Sequence, residues 1–377
     1  MKTASRAVAL LTTAGLLATV GCGTTDAHLT ATSAQPVGPL SLATSLTTTA
    51  GTWTVALAGG KEADYNNFWQ LLVRPSTAAS WQLATPPGVA TNGGLVIAPL
   101  GGASLVVGLR PSQSLRFTPL ADTSNAGRSW TSGLIGTVMA SEPSAMAGDP
   151  ATGKLLAVTA SGAIEQGIAS GTWAVTAKSL SDAACGHLRL TGVTFTPDGT
   201  PLAAGDCARP GVIGIFSNSG GTWTSAAPVA PEIFGRDRVF VLALATIADH
   251  TMALLQAGSG TGASVLVGEL GTGGWSFSGP ARLSGTSVSS LATGSAGEVG
   301  LVLANGEGLL LPSLGNSWRT LPRLPARTQT LAFVQGTQVQ AVVPGRTSIS
   351  FYDYQQAEAT WTLAQKLKVP VQFGSSG

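Results

Sequence analysis

The chain has 377 residues, 44% of them hydrophobic and only 10% charged, with 49 glycines and 21 prolines. Its 20 basic and 18 acidic side chains leave a net charge of +2, nearly neutral, which argues against a nucleic-acid binder with its clustered basic face. Glycine and proline at this density exclude a fold of long helices, and the length suits one large all-β domain or two ordinary ones.

Lys2 and Arg6 precede an apolar run from Ala7 to Val20, which ends in Thr19-Val20-Gly21-Cys22. A basic start, a short apolar stretch and small residues before a cut are a secretory signal peptide, assigned to residues 1–21. A cysteine directly after the small residues resembles the lipobox of bacterial lipoproteins. The resemblance implies acylation of Cys22, palmitate included, and an exported protein held on the outer face of the bacterial cell membrane. The family favours leucine where Thr19 stands. The alternative is an ordinary secreted protein cut nearby, with Cys22 incidental. Residues 22–38, rich in Thr, Ser and Ala, read as a flexible tether. No later segment reaches the ~18 apolar residues that span a bilayer; the longest, 239–248, stops at Asp249 and His250 and reads as a buried strand. Membrane contact is therefore expected through the lipid alone.

From residue 39 onward a tryptophan recurs in similar surroundings: Trp81, Trp130, Trp173, Trp223, Trp275, Trp318 and Trp361, separated by 49, 43, 50, 52, 43 and 43 residues. Each follows small or polar turn residues, as in Gly171-Thr172-Trp173, and opens a β-prone stretch. The first unit, 39–87, is the least regular, with strands at 40–46, 53–58 and 68–73 before Trp81; Trp53 and Trp69 fall outside the register as packing residues. The second, 88–135, ends around Trp130. The third, 136–180, has strands at 144–148, 155–159 and 163–168 before Trp173. The fourth, 181–230, is the clearest. Strand 192–195 enters Thr196-Pro197-Asp198-Gly199-Thr200, where proline presets φ and glycine supplies the positive φ of a hairpin, and 201–205, 212–217 and Trp223 follow. The fifth, 231–282, holds 239–248 and Trp275. The sixth, 283–325, has strands at 289–294, 300–304 and 308–312 before Trp318. The seventh, 326–370, has them at 330–335, 339–343 and 348–354 before Trp361.

Four short strands per ~47 residues is the period of a β-propeller. The expected fold is all-β, a seven-bladed β-propeller with four antiparallel strands per blade, in a single domain over 39–377. A lone four-stranded sheet cannot bury both faces, whereas sheets packed radially on their neighbours can. Two stacked β-sandwiches would not require so even a spacing.

Thr123-Ser124-Asn125-Ala126-Gly127-Arg128-Ser129-Trp130 resembles the Asp box of sialidases and other BNR-repeat propellers, Ser/Thr-x-Asp-x-Gly-x-x-Trp, with Asn125 in place of the aspartate. Asn218-Ser219-Gly220-Gly221-Thr222-Trp223 keeps part of it, and Gly315-Asn316-Ser317-Trp318 only its end. The resemblance implies the fold and places each box between strands three and four. It transfers no activity, because the box is structural.

Catalytic motifs are not found. Sialidases of this fold carry an early Phe/Tyr-Arg-Ile-Pro motif; here the nearest string is Leu109-Arg110-Pro111, and tyrosine occurs only at Tyr65, Tyr352 and Tyr354. Paired carboxylates from different blades remain open. Gly148-Asp149-Pro150-Ala151-Thr152-Gly153-Lys154 matches most of a phosphate-binding loop, but Leu155 follows it and the context is strand–turn–strand, so it reads as a hairpin. His28 and His250 lack His or Cys partners at metal-ligand spacing, and His187 has only Cys185, which is expected to pair with Cys207; no Gly-x-Ser-x-Gly elbow exists. No catalytic residue, metal or cofactor is assigned.

In a propeller the loops between strands two and three share a face with the links between blades; the one-to-two and three-to-four hairpins share the other. Cys185, in the link from blade three to four, and Cys207, after strand two of blade four, map to the first face. An exported chain favours their pairing. That face collects the longer polar loops, and its candidate binding residues are Lys61, Asp64, Tyr65, Arg110, Glu142, His187, Arg209, Arg236, Glu307 and Arg346. The expected function is a non-catalytic cell-surface lipoprotein that binds or scaffolds a protein or envelope component there. The alternative is a glycan-active enzyme of sialidase-like type or a carbohydrate-binding propeller.

Overall fold

The computed structural model describes residues 42–59, 68–86, 94–109, 120–133, 143–159, 162–168, 173–229, 232–235, 237–334 and 338–370. Within them the regular secondary structure is strand apart from two 3-10 turns at Glu232–Phe234 and Gly260–Gly262. Sequence neighbours pair antiparallel in four-stranded meanders that run 43–83, 95–133, 143–177, 186–225, 239–277, 288–320 and 330–368. Two short extra strands join them: Leu180–Asp182 on the 186–225 meander and Ala281–Arg282 on the 239–277 meander.

The meanders form where the sequence alternates β-prone runs with residues that turn. At 196–200 the Thr196 hydroxyl receives the Thr200 N–H at 3.0 Å, Asp198 also accepts from Thr200 N–H at 3.2 Å, and Gly199 takes φ +82°. Hydrogen bonds from the Thr196 hydroxyl and the Thr200 amide hold the Asp198 carboxyl below its ordinary range. Sheets covered on both faces need continuous apolar strands rather than alternating ones. Leu71-Leu72-Val73, Leu105-Val106-Val107 and Leu155-Leu156-Ala157 are all fully buried.

The hydrophobic clusters show how the meanders succeed one another. One joins 43–83 to 95–133 through Trp53, Trp69, Ile97 and Val107. Others join 95–133 to 143–177, 143–177 to 186–225, and so on along the chain. The last joins 330–368 back to 43–83 through Ala332, Val342, Phe351, Leu72 and Trp81. The sheets therefore close into a ring. The repeating tryptophans sit at these seams: each lies within one residue of the start of a fourth strand and packs on the cluster shared with the preceding meander, as Trp173, Trp275 and Trp361 do. The Trp318 and Trp361 indoles donate to Gly279 O and Pro322 O of the meander before, at 3.0 and 3.4 Å. Trp53 and Trp69 are each 1% exposed and fill the first seam.

The ring closes between two contiguous stretches of chain, and side chains hold that seam together with a backbone bond from Gly59 N–H to Gly345 O at 3.1 Å. The Trp81 ring stacks on Phe351 at 4.7 Å between centroids and 8° between planes. Its N–H donates to Gln340 Oε1 at 2.7 Å, and Gln340 Nε2 donates to Asp353 Oδ1 at 2.6 Å. Gln365 binds the Trp81 backbone on both sides, accepting from N–H at 2.7 Å and donating to O at 2.9 Å. Nearer the axis the strand Ala43–Thr48 runs parallel to Val288–Thr293, with Leu291 N–H donating to Leu42 O at 2.7 Å. Thr44 reaches the Thr330 hydroxyl at 2.8 Å, and Thr47 reaches Phe333 O at 2.9 Å. The repeat does not announce this parallel pairing; it draws three innermost strands together and narrows the axial channel.

Candidate functional site

Of the residues expected on the loop-rich face, Lys61, Asp64, Tyr65, Arg110, Glu142 and Arg236 lie outside the described residues, as does Cys22. Cys185 and Cys207 form a disulfide with Cα atoms 4.8 Å apart, both sulfur-bearing residues buried. Backbone bonds sew the same corner: Arg209 N–H to Cys185 O at 3.2 Å and Ala208 N–H to His187 O at 3.0 Å. His187 and Arg209 are exposed beside it, and the Arg209 guanidinium donates to Ala183 O. Arg189, largely exposed, pairs with the buried carboxylate of Asp206. Glu307 and Arg346 are exposed on two other meanders. The described part of this face thus supplies one stapled corner and two separate charges rather than one converging set.

The opposite face carries the concavity. There the hairpins joining first and second strands of successive meanders surround a cavity of about 320 Å³ over the ring axis. Pro99, Pro150, Pro197, Phe195 and Ile247 make its apolar wall, and Thr47 to Thr49, Asp249 and Ser295 its polar rim. Gly101, at φ +83°, lets the 95–133 hairpin approach its neighbour: a Cβ there would stand 2.9 Å from Pro150 Cβ. Asp149, 5% exposed, accepts from Ala151 N–H at 3.0 Å and from the Thr152 hydroxyl, so its own turn occupies it. Thr246 is shared between the hydroxyls of Thr194 at 3.1 Å and Thr251 at 2.9 Å. Asp249 is exposed and is the carboxylate of this set that stays open to solvent. The described lining includes no basic side chain.

Beneath the vestibule the axial cavity shrinks to about 60 Å³, room for a few waters. Its walls are small or apolar, such as Ala145, Ala147, Val193 and Ala243, with Thr191 and Thr194 as polar members and no ionisable side chain among the described lining. Among the described residues no three His, Cys, Asp or Glu side chains gather as a metal site. The vestibule offers one carboxylate engaged by its own turn and one open to solvent, with hydrogen-bonding threonines around them.

Sequence reasoning looked to the other face because its loops are longer and more polar. The vestibule is built from tight turns, each explained by turn chemistry alone. The signal that finds it is positional: Thr48, Gly101, Asp149, Thr196, Asp249 and Ser295 stand at the same hairpin of successive meanders.

The local geometry of the Asp-box-like segment is also visible. Asn125 Oδ1 accepts from Ser129 N–H at 2.9 Å and Nδ2 donates to Ser129 Oγ at 2.6 Å. Thr123 Oγ1 accepts from Gly127 N–H at 3.1 Å. Gly127, at φ +77°, approaches the preceding meander so closely that a Cβ would lie 2.7 Å from Ala84 Cβ. The segment falls between third and fourth strands, and Trp130 packs on the seam.

No family model matches the chain, and no curated protein matches it in sequence. Solved structures do. A putative 6-phosphogluconolactonase from Bacteroides fragilis is 13% identical, with a TM-score of 0.55 over 86% of this chain and 96% of that one. The GH74 xyloglucanase from Xanthomonas campestris is 13% identical, with a TM-score of 0.52 over 87% of this chain and 55% of that one. YCF48 bound to D1 peptide is 14% identical, with a TM-score of 0.43 over 90% and 96%. At such identities likeness carries the fold alone. With the closed ring of four-stranded meanders, the likeness to the first two makes this chain a β-propeller.

Proposed function

We propose that the protein is a seven-bladed propeller, one blade per four-stranded meander, held on the outer face of a bacterial membrane by lipid on Cys22, and that it binds a protein or other envelope component without chemistry of its own. The observation that carries the binding role is the vestibule of about 320 Å³ above an axial channel reduced to about 60 Å³ with no ionisable wall. A partner enters the vestibule and stops there. The rim carries Asp249 and no basic side chain among the described lining, so the inserted group is neutral or cationic. The Asn125 turn, set between third and fourth strands, supports kinship with BNR-repeat propellers, and the seven seam tryptophans support the blade count.

The decisive experiment places a photo-crosslinking residue at Asp249 or Ser295 on the vestibule rim and, in parallel, at Glu307 on the loop-rich face, in cells making the full chain. A partner captured from the rim positions alone supports the proposal; capture from Glu307 alone moves the binding face to the loops. Incubation of the purified protein with a panel of cell-wall polysaccharides tests the non-catalytic part, and any cleavage product refutes it. Release of a Cys22→Ser variant from the membrane fraction tests the anchor, and full retention refutes it.

A further inference from the structure

A second cavity, of about 330 Å³, opens at the rim between the 288–320 and 330–368 meanders. The last strand of the 288–320 meander is only Arg319–Thr320, whereas Ser348–Gln355, the third strand of the next meander, runs eight residues. The cleft floor is buried Leu321 and Val339. Tyr354 forms an aromatic wall, backed by Trp361 at 5.2 Å between ring centroids, and Trp361 is in turn pinned by its N–H to Pro322 O. Around that wall stand Arg319, Gln338 and Gln356. Among the described residues these three side chains and the Tyr354 hydroxyl engage in no hydrogen bond or ion pair, whereas Gln340 and Gln365 have definite partners.

An aromatic wall with a rigid backing, an apolar floor and free amides suits a pyranose, whose C–H face packs on the ring while its hydroxyls meet the amides. A free guanidinium at the same place recognises a carboxylate through paired N–H donors. We propose that this cleft binds an acidic glycan, a uronate-type sugar seated on Tyr354 with its carboxylate on Arg319. The site is distinct from the axial vestibule and stands or falls independently of it, because its residues belong to the rim of two blades.

The test uses the full-length protein in detergent, titrated calorimetrically with trigalacturonate and with neutral cellotriose. Trigalacturonate binds saturably, and cellotriose binds about 10-fold more weakly, the factor expected for one charge-assisted contact. Arg319→Gln, an exposed substitution, lowers trigalacturonate affinity by the same ~10-fold and leaves cellotriose unchanged. Gln356→Ala, also exposed, weakens both sugars several-fold, and Tyr354→Ala abolishes both. Tyr354→Phe, which keeps the ring and its packing, retains binding within a few-fold and separates lost recognition from lost folding. Absence of trigalacturonate binding at millimolar concentration overturns the proposal. So does equal affinity for the two sugars, or binding indifferent to Arg319→Gln and Gln356→Ala.

Discussion

Replacing Trp81 by phenylalanine tests how much of the ring closure its side chain carries. Trp81 is 2% exposed, and its N–H is the partner of Gln340 Oε1, on a residue 1% exposed. Phenylalanine retains a stacking ring on Phe351 but leaves that buried acceptor unpaired, a loss of about 1–3 kcal/mol. The missing part of the indole adds a void worth about 1 kcal/mol. The expected total is about 2–4 kcal/mol, and Trp81→Ala exceeds it. Trp361→Phe is the matched control: that indole is partly exposed and its N–H reaches Pro322 O only at 3.4 Å, so its loss costs about 0.5 kcal/mol. Urea midpoints give the two values. Amide exchange locates the damage, and the strands Gly51–Ala58 and Gln338–Pro344, which flank the closing seam, are expected to lose protection before the others. In a double-mutant cycle with Gln340→Leu the coupling is about 1 kcal/mol. If Trp81→Phe costs no more than Trp361→Phe, the seam is held instead by the parallel strand pair near the axis, and the reasoning fails.

Further expectations concern stability. Glu165 is buried, its Oε2 has no partner among the described residues, and burial raises its pKa. Its favourable contribution is complete below the unfolded carboxyl value and is lost as pH rises through the folded one. Glu165→Gln therefore raises the urea midpoint at pH 7, by about 1 kcal/mol, and the gain disappears below about pH 4; a gain independent of pH would show that desolvation is not its source. Asp198 has the opposite sign: its folded pKa is lowered, so Asp198→Ala costs stability at neutral pH and the difference fades as pH falls through the folded value. Reducing Cys185–Cys207, which spans 22 residues, is expected to cost about 3 kcal/mol, read as the shift in urea midpoint with reductant. Asn125→Ala loses the turn bonds to Ser129 and about 1 kcal/mol, whereas Asn125→Asp, which keeps the acceptor for Ser129 N–H, changes the midpoint by less than half of that.

Much of the ring was legible in the chain because its signals are local. Pro197-Asp198-Gly199 dictates a hairpin wherever it stands, and strands expected at 53–58 and 68–73 occur as Gly51–Ala58 and Phe68–Pro75. The tryptophan period marked where each fourth strand opens; that these rings pack on the neighbouring sheet is seen only in the structure. The Cys185–Cys207 pair was expected from export, and the register, which puts both on one face, agreed with it. The vestibule and the rim cleft were not legible. Thr48, Asp149, Asp249 and Ser295 look like ordinary turn residues until successive hairpins are set in a circle. Arg319 and Tyr354 are 35 positions apart in sequence, and nothing local says that one cleft holds both.

By itself, then, the sequence determined the all-β class, the repeat, the hairpin positions and the disulfide, because backbone preference and alternating or continuous burial act over a few residues at a time. Only the tertiary structure decided how the ring closes, how far the channel narrows and where cavities remain. Those depend on pairings such as Ala43–Thr48 with Val288–Thr293 and Trp81 with Gln340, in which segments more than 200 residues apart compete for the same surface, and no short-range preference selects between them.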